Sequence, residues 1–235
     1  IMPLDADGAR RVYDRIGRLQ DTQRFYEEHA VRRVIELAAF ERSEAVFELG
    51  CGTGRLAADL LRSRVPTSAS YLGVDVSPRM VELAGRRLAP WSNRAAVELL
   101  EPPALKLPGE DGSFDRFLAT YVFDLLSPDD TRALICEARR LLSPQGILAL
   151  VSVTDGTTPT SRIISAGWNR LGSRWPALVG GCRPIELRDL IACPECDPQP
   201  AEGVLRFVLP SEVVGAAAPP RRLAQSPDRA GIAAC

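Results

Sequence analysis

A chain of 235 residues is long for one domain of average size but within the range of a single α/β domain, and with 46% of its residues apolar it can bury a sizeable core. A formal net charge of −1 gives no general attraction to nucleic acid, and no helix-turn-helix, RNA-recognition or zinc-finger pattern occurs. The longest apolar runs fall well short of the roughly 20 residues that cross a bilayer, and no charged-then-apolar leader opens the sequence, so a soluble, cytoplasmic protein is expected.

Helical spacing runs from about residue 8 to about 40, where Tyr13, Ile16 and Gly17 are followed by Val31, Val34, Ile35, Leu37 and Ala38 on one stripe. Because this segment precedes the first strand, it predicts a helical cap. Val46 to Leu49 is a short apolar run that ends in Gly50-Cys51-Gly52-Thr53-Gly54, with Glu48 two residues before the first glycine. Glycine accepts positive φ and has no Cβ, so such a loop turns sharply and lets its backbone approach a ligand. The helix predicted from Arg55 to Leu61 would aim its free N–H groups at the same place. About 20 residues further on, Tyr71 to Val76 predicts a second buried strand, carrying Asp75 where nucleotide-binding α/β folds hold ribose hydroxyls. The two features together point to a nucleoside ligand.

Ser77-Pro78 is a helix start with proline at the first helical position, and that helix should run to Leu88. Ala95 to Leu100 predicts a third strand, stopped by Pro102-Pro103. Phe114 to Ala119 predicts a fourth, Pro128 to Leu142 a helix, and Ile147 to Val153 a fifth strand whose unbroken apolar character suits a strand covered on both faces. From Thr154 to Glu202 the pattern is irregular, apart from an apolar helical stripe of Trp168, Leu171 and Trp175. Val204 to Leu209 and Glu212 to Ala217 read as a closing pair of strands, and the proline, arginine and alanine after Pro219 predict a disordered tail. The organisation is thus one domain over residues 1–218: a cap at 8–40, a core at 45–153, an insertion at 154–202 and closing strands at 203–218, with a tail at 219–235.

Glycine loops are not specific by themselves. A dinucleotide fingerprint needs a third glycine where Arg55 stands, and a phosphate loop needs a Gly-Lys-Ser/Thr that is absent. The remaining pattern, Glu-x-Gly-x-Gly-x-Gly over Glu48 to Gly54, resembles the first motif of the class I S-adenosylmethionine-dependent methyltransferases. The likeness continues. Asp111-Gly112-Ser113-Phe114-Asp115 is similar to that family's fourth-strand pattern, and Arg140-Leu141-Leu142-Ser143-Pro144-Gln145-Gly146 is similar to its turn into the fifth strand, with Gln145 where glycine is usual. The chain looks most like the small-molecule and lipid methyltransferases that include the ubiquinone and menaquinone biosynthesis type. The resemblance implies a Rossmann-like, mostly parallel seven-stranded sheet with the last strand antiparallel, helices on both faces, and S-adenosyl-L-methionine as cofactor, leaving S-adenosyl-L-homocysteine.

By the same resemblance, Glu48 orients the loop or meets the cofactor's amino group through water; otherwise it would only cap local backbone. Gly50, Cys51 and Gly52 allow the backbone approach, and Gly54 serves mainly the helix junction. Asp75 accepts both ribose hydroxyls, Val76 and Met80 flank the adenine, and Thr120 meets the methionine part through backbone. Many relatives hold the adenine amino group with an acid-alanine pair before Leu-Pro. Aligning Ala104 with Leu107-Pro108 puts Pro103 in the acid's place, leaving Glu101 as the substitute.

The implied chemistry is in-line transfer of a methyl group from a sulfonium to an oxygen, nitrogen or carbon nucleophile of a small molecule or lipid-like acceptor. The cofactor supplies the reactivity and the protein supplies position and electrostatics. A general base is needed only for a protonated nucleophile. Candidates are His29, the chain's only histidine, and Tyr121 and Asp124 after the fourth strand. Each has an ordinary alternative: exposure or packing on a helix for His29, a helix cap or local hydrogen bond for Asp124. Tyr13, Tyr26, Trp168 and Arg183 are candidates for the acceptor side, in a region where apolar side chains rimmed by arginines suit an anionic or amphiphilic molecule. The basic residues are nearly all arginine, Lys106 being the only lysine, which suits bidentate contacts as well as ordinary surface use. Six cysteines, including Cys193 and Cys196 in a lone CxxC, establish neither a disulfide framework nor a metal site, and no metal is expected. Two other classes of function share the loop and Asp75: a cofactor-binding regulator without catalysis, and a nicotinamide-dependent oxidoreductase, which Arg55 disfavours. Peripheral contact with a membrane is compatible with a lipid-like acceptor.

Overall fold

A computed structural model describes residues 24–101, 106–154, 185, 202–206 and 209–217. The expected tail, the Trp168 stripe, the CxxC and most of the insertion lie outside the described residues, as do the first part of the cap with Tyr13, and Ala104 and Arg183.

The strands are β1 (Ala45–Leu49), β2 (Ser70–Asp75), β3 (Ala95–Leu99), β4 (Phe114–Thr120), β5 (Leu142–Val153), β6 (Glu202–Arg206) and β7 (Leu209–Ala217), and the helices are α1 (Arg24–Ala38), α2 (Arg55–Ser63), α3 (Pro78–Leu88) and α4 (Pro128–Leu141). The sheet order is β3-β2-β1-β4-β5-β7-β6. β1 to β5 are parallel neighbours, while β7 runs antiparallel to both β5 and β6. The architecture is the α/β, Rossmann-like class that the sequence predicts. β1 leads to β2 and β3 on one side, and the chain then returns to β4 on the other. The carboxyl ends of β1 and β4 therefore flank a topological switch point, where such sheets bind ligands.

Strand alternation sends neighbouring residues to opposite faces. Phe47 and Phe117 are register partners that stack at 5.2 Å between ring centroids, with Phe114 edge-on to Phe47, and α4 closes this layer with Leu134, Ile135 and Leu141. Val46 and Leu118 point the other way and meet Val34 and Ala38 of α1 and Ala57, Leu60 and Leu61 of α2. Burying each such side chain fully contributes about 1.5–3 kcal/mol.

Two junctions differ from the sequence expectation by more than two residues. α4 ends at Leu141, and β5 begins at Leu142 rather than Ile147. Leu142 pairs with Phe114, and the register then slips so that Ile147 meets Arg116, which places the exposed Pro144-Gln145 pair in a bulge that needs no ladder donor from the proline. β6 ends at Arg206 and β7 begins at Leu209 rather than Glu212, so Pro210 lies inside β7 and pairs with Leu205. A proline near the start of a strand costs the ladder little, so it does not end the pairing.

Polar groups fix the amino end of the sheet. The Asp115 carboxylate accepts the amides of Glu44 (2.9 Å) and Ala45 (3.1 Å) where β1 begins. Arg116, only 6% exposed, donates from Nε to the carbonyl of Ala38 at 2.5 Å and from Nη2 to that of Ala39 at 3.2 Å. It thereby closes the end of α1, where Ala39 turns left-handed at φ 46°. Arg140 donates to the carbonyls of Leu107 and Gly109 and to Asp111 and Glu137, holding the loop before β4 against α4. Replacing Arg116 by leucine should lower the free energy of unfolding by about 1–3 kcal/mol, because the carbonyls at the end of α1 lose their donor. The expected reading is a lower urea midpoint with an unchanged slope.

Candidate functional site

The loop after β1 is built by backbone geometry. The amides of Gly50 and Cys51 both donate to the carbonyl of Val74, at 2.8 and 3.0 Å, so the chain folds over the end of β2 as soon as it leaves β1. Gly50 has φ 71°, and a Cβ there would lie 2.5 Å from Cγ2 of Val122. Gly54 also has φ 71°, and its Cβ would lie 2.9 Å from the Cα of Ala84, so α3 packs directly on the helix junction. Alanine at either position meets strained φ and occupied space together. Arg87 of α3 secures the far side of the loop by donating to the carbonyl (3.0 Å) and the hydroxyl (2.5 Å) of Thr53.

Two buried carboxylates flank this loop. Asp75, 9% exposed, accepts the amide of Gly52 at Oδ2 and the amide of Ser77 at Oδ1, both at 2.9 Å. Ser77 in turn caps α3, its hydroxyl accepting the amide of Met80 at 3.2 Å. Glu48, 2% exposed, accepts the hydroxyl of Tyr71 at 2.6 Å. Burial pushes the Glu48 carboxyl up to about 8, with the Asp75 charge adding to the rise and the Tyr71 hydrogen bond opposing it. Burial likewise raises the Cys51 thiol and the Tyr71 phenol. Among the described residues no cation acts on Glu48, so the floor of the loop is an acidic, desolvated place suited to a positive ligand group.

Glu48, Gly50, Cys51, Gly52, Gly54 and Asp75 come together at the carboxyl ends of β1 and β2. Val76 is half-buried beside them and Met80 is fully buried within α3. Thr120 and Tyr121 leave β4 at the same end, both half-buried, and the amide of Tyr121 donates to the carbonyl of Val151 at 2.8 Å. Tyr121 is left-handed at φ 56°, a conformation that non-glycine residues seldom hold. Asp124 is fully buried in the short turn that follows. His29 is exposed on α1, Glu101 is exposed after β3, and the side chain of Tyr26 on α1 lies outside the described residues. The sequence reading missed Tyr71, Arg87 and Val122. Val122 follows the predicted strand without any polar signal, and Tyr71 and Arg87 are identified only by partners that the register and the α3 packing bring near.

A glycine loop at the switch point of a parallel sheet, between two buried acids, defines a nucleotide-type ligand site of the α/β class. Residues 46–146 match a family described as a methyltransferase domain. A demethylmenaquinone methyltransferase of Lactobacillus johnsonii is 30% identical over 129 residues, 55% of this chain and 50% of its own length. One from Staphylococcus aureus is 29% identical over 149 residues, 63% of this chain and 58% of its own. The chain thus spans about half the length of the curated relatives it matches. The fold is shared with the N-methyltransferase NodS from Bradyrhizobium japonicum WM9, solved with S-adenosyl-L-homocysteine, at TM-score 0.61 and 18% identity over 82% of this chain and 87% of that one. It is also shared with a SAM-dependent methyltransferase from Aquifex aeolicus at TM-score 0.57 and 19% identity, covering 88% and 98%. Over residues 46–146 the chain is thus similar to a methyltransferase domain, on a fold that it shares with solved methyltransferases.

Between pH about 4.5 and about 8 the folded protein keeps a proton on Glu48 that the unfolded chain has released. Stability of the ligand-free protein should therefore fall as pH rises through that window. Glu48→Gln should remove this fall, measured as urea midpoints at both ends of the window; an unchanged slope in the variant would assign it to other groups.

Proposed function

We propose that this protein transfers a methyl group from S-adenosylmethionine to an oxygen, nitrogen or carbon nucleophile of a small, lipid-like acceptor. The observation that carries the reading is the pair of buried acids, Glu48 and Asp75, on either side of a loop whose left-handed glycines let a ligand reach the backbone. The cofactor presents an ammonium and a sulfonium, and an acidic floor suits both. Glu48 faces the ammonium, Asp75 shares its oxygens between the loop amides and the ribose hydroxyls, and Thr120 lines the methionine part. Val76 flanks the adenine with Met80 beneath it, and Glu101 reaches for the adenine edge. When bound, the sulfonium supplies the electrophilic methyl group, and the chain's own task is to hold the acceptor in line with it.

The names of the relatives support a quinone-type ring as acceptor. Of the base candidates, Tyr121 has the favoured placement, half-exposed and strained at the end of β4, whereas His29 is on an open helix face and Asp124 is sealed beneath the rim. The segment 154–202, with Trp168 and Arg183, and the cap with Tyr13 and Tyr26 complete the acceptor side. The antiparallel pairing of β7 with β5 supports the seven-stranded arrangement of the family. Among the described residues no helix is long and apolar enough to cross a membrane. A cytoplasmic enzyme that meets its acceptor at a membrane surface fits that.

Calorimetry should show binding of S-adenosylmethionine and S-adenosylhomocysteine and none of NAD; the reverse preference would make the protein an oxidoreductase. Mass spectrometry with a demethylated naphthoquinone should then show a product heavier by one methylene. Cofactor binding without turnover of any acceptor would favour a non-catalytic regulator. Asp75→Ala should weaken cofactor binding by about tenfold or more, since it removes a charged acceptor and frees the Gly52 amide.

A further inference from the structure

On β1 and β2, Val46 is paired with Tyr71 and Glu48 with Gly73 in parallel register. Residues 71, 73 and 75 share one side of β2 because side chains alternate along a strand. The Tyr71 ring therefore lies along the strand toward its carboxyl end and crosses position 73. A Cβ there would sit 2.6 Å from the Tyr71 hydroxyl, and 3.0 and 3.1 Å from Cβ and Sγ of Cys51. Gly73 has no need of unusual φ, so what its missing Cβ provides is room. Through that room the hydroxyl of Tyr71, itself 2% exposed, reaches Oε2 of Glu48 at 2.6 Å.

We propose that Tyr71 is a positioning residue for the cofactor: its hydroxyl, admitted over Gly73, fixes the Glu48 carboxylate at the floor of the glycine loop, turned toward the ligand's ammonium. This rests on the methyltransferase reading above. A carboxylate only 2% exposed needs a partner to choose its rotamer, and the phenol supplies one. Among the described residues, Tyr71 and Asp75 are the charged or titratable groups acting on Glu48, and Cys51 is the third titratable neighbour of the cluster. Burial and the Asp75 charge favour the protonated acid, and the phenol opposes them, because a hydrogen bond to the charged form stabilises it. Without the hydroxyl, Glu48 holds its proton more tightly and gives it up at greater cost when the ammonium binds.

The test is calorimetric titration of S-adenosylhomocysteine into the native protein, Tyr71→Phe, Glu48→Gln and the double variant, from about pH 6 to about pH 9. That range brackets the value near 8 for Glu48, and the ligand's own α-amino titration, common to all the proteins, cancels in the ratio between them. Tyr71→Phe should bind about tenfold more weakly near neutrality, the size of one hydrogen bond to a charged group. The deficit should narrow as pH rises, and the hydroxyl deletion should add nothing once Glu48 is glutamine. Gly73→Ala, which pushes the hydroxyl aside, should reproduce the same pH-dependent loss, with melting temperatures confirming that each variant folds. Equal affinity of Tyr71→Phe and native protein at every pH overturns the proposal. So does a constant deficit that persists on the glutamine background, since that is what a purely structural tyrosine gives. A native protein that binds neither S-adenosylhomocysteine nor S-adenosylmethionine overturns the methyltransferase reading itself and the proposal with it.

Discussion

The ligand end of the molecule depends on the chain leaving β1 through left-handed residues at alternate positions, Gly50, Gly52 and Gly54. That path lets two successive amides share the carbonyl of Val74 and delivers a third to the carboxylate of Asp75. Each such hydrogen bond nets only about 1 kcal/mol, but together they weld the end of β1 to the end of β2. Everything nearby takes its place from this weld. Asp75 also holds the amide of Ser77, Ser77 starts α3, and α3 returns Ala84 and Arg87 to the far side of the loop. The circuit from loop to acid to helix to loop is closed, so the chain's own contacts hold the site's frame.

The arginines follow a second logic. Arg87, Arg94, Arg116 and Arg140 each donate to main-chain carbonyls: Arg94 to those of Leu61, Pro66 and Ala69, Arg116 to the end of α1, and Arg140 to the loop before β4. A guanidinium offers five donors in a rigid plane, and one side chain can satisfy several carbonyls that loops leave without partners. Composition suggested surface use or anion contacts. Exposed pairs such as Arg62 with Asp59 meet the first description, and these four perform a third task, bracing irregular backbone at the edges of the sheet.

How much the sequence disclosed depended on whether a signal was local. Strands β1, β2 and β4, helix α3 with its Ser77-Pro78 start, and the glycine loop follow from contiguous patterns, and Glu48 and Asp75 from their spacing to the loop. The roles of Asp111, Asp115 and Arg140 were not legible. The three mark a family pattern in sequence, but their work is to hold the start of β1 and the loop before β4. The start of β5 was misjudged because a proline and a glutamine interrupt its apolar run, and only the slipped pairing with β4 shows the strand continuing across them. Tyr71 resembled an ordinary strand aromatic. Its partner is on the next strand, and cross-strand diagonals cannot be read until the register is known.

The space above Gly73 also shapes how this protein can change over generations. The hydroxyl of Tyr71 fills the volume that any side chain at 73 would enter, with Cys51 close behind it. A larger residue at 73 is thus a different mutation before and after residue 71 loses its hydroxyl: in the first order it displaces the group that holds Glu48, and in the second it meets only the tight contact with Cys51. The two positions are epistatic, and the order of substitution decides which evolutionary routes keep a working site.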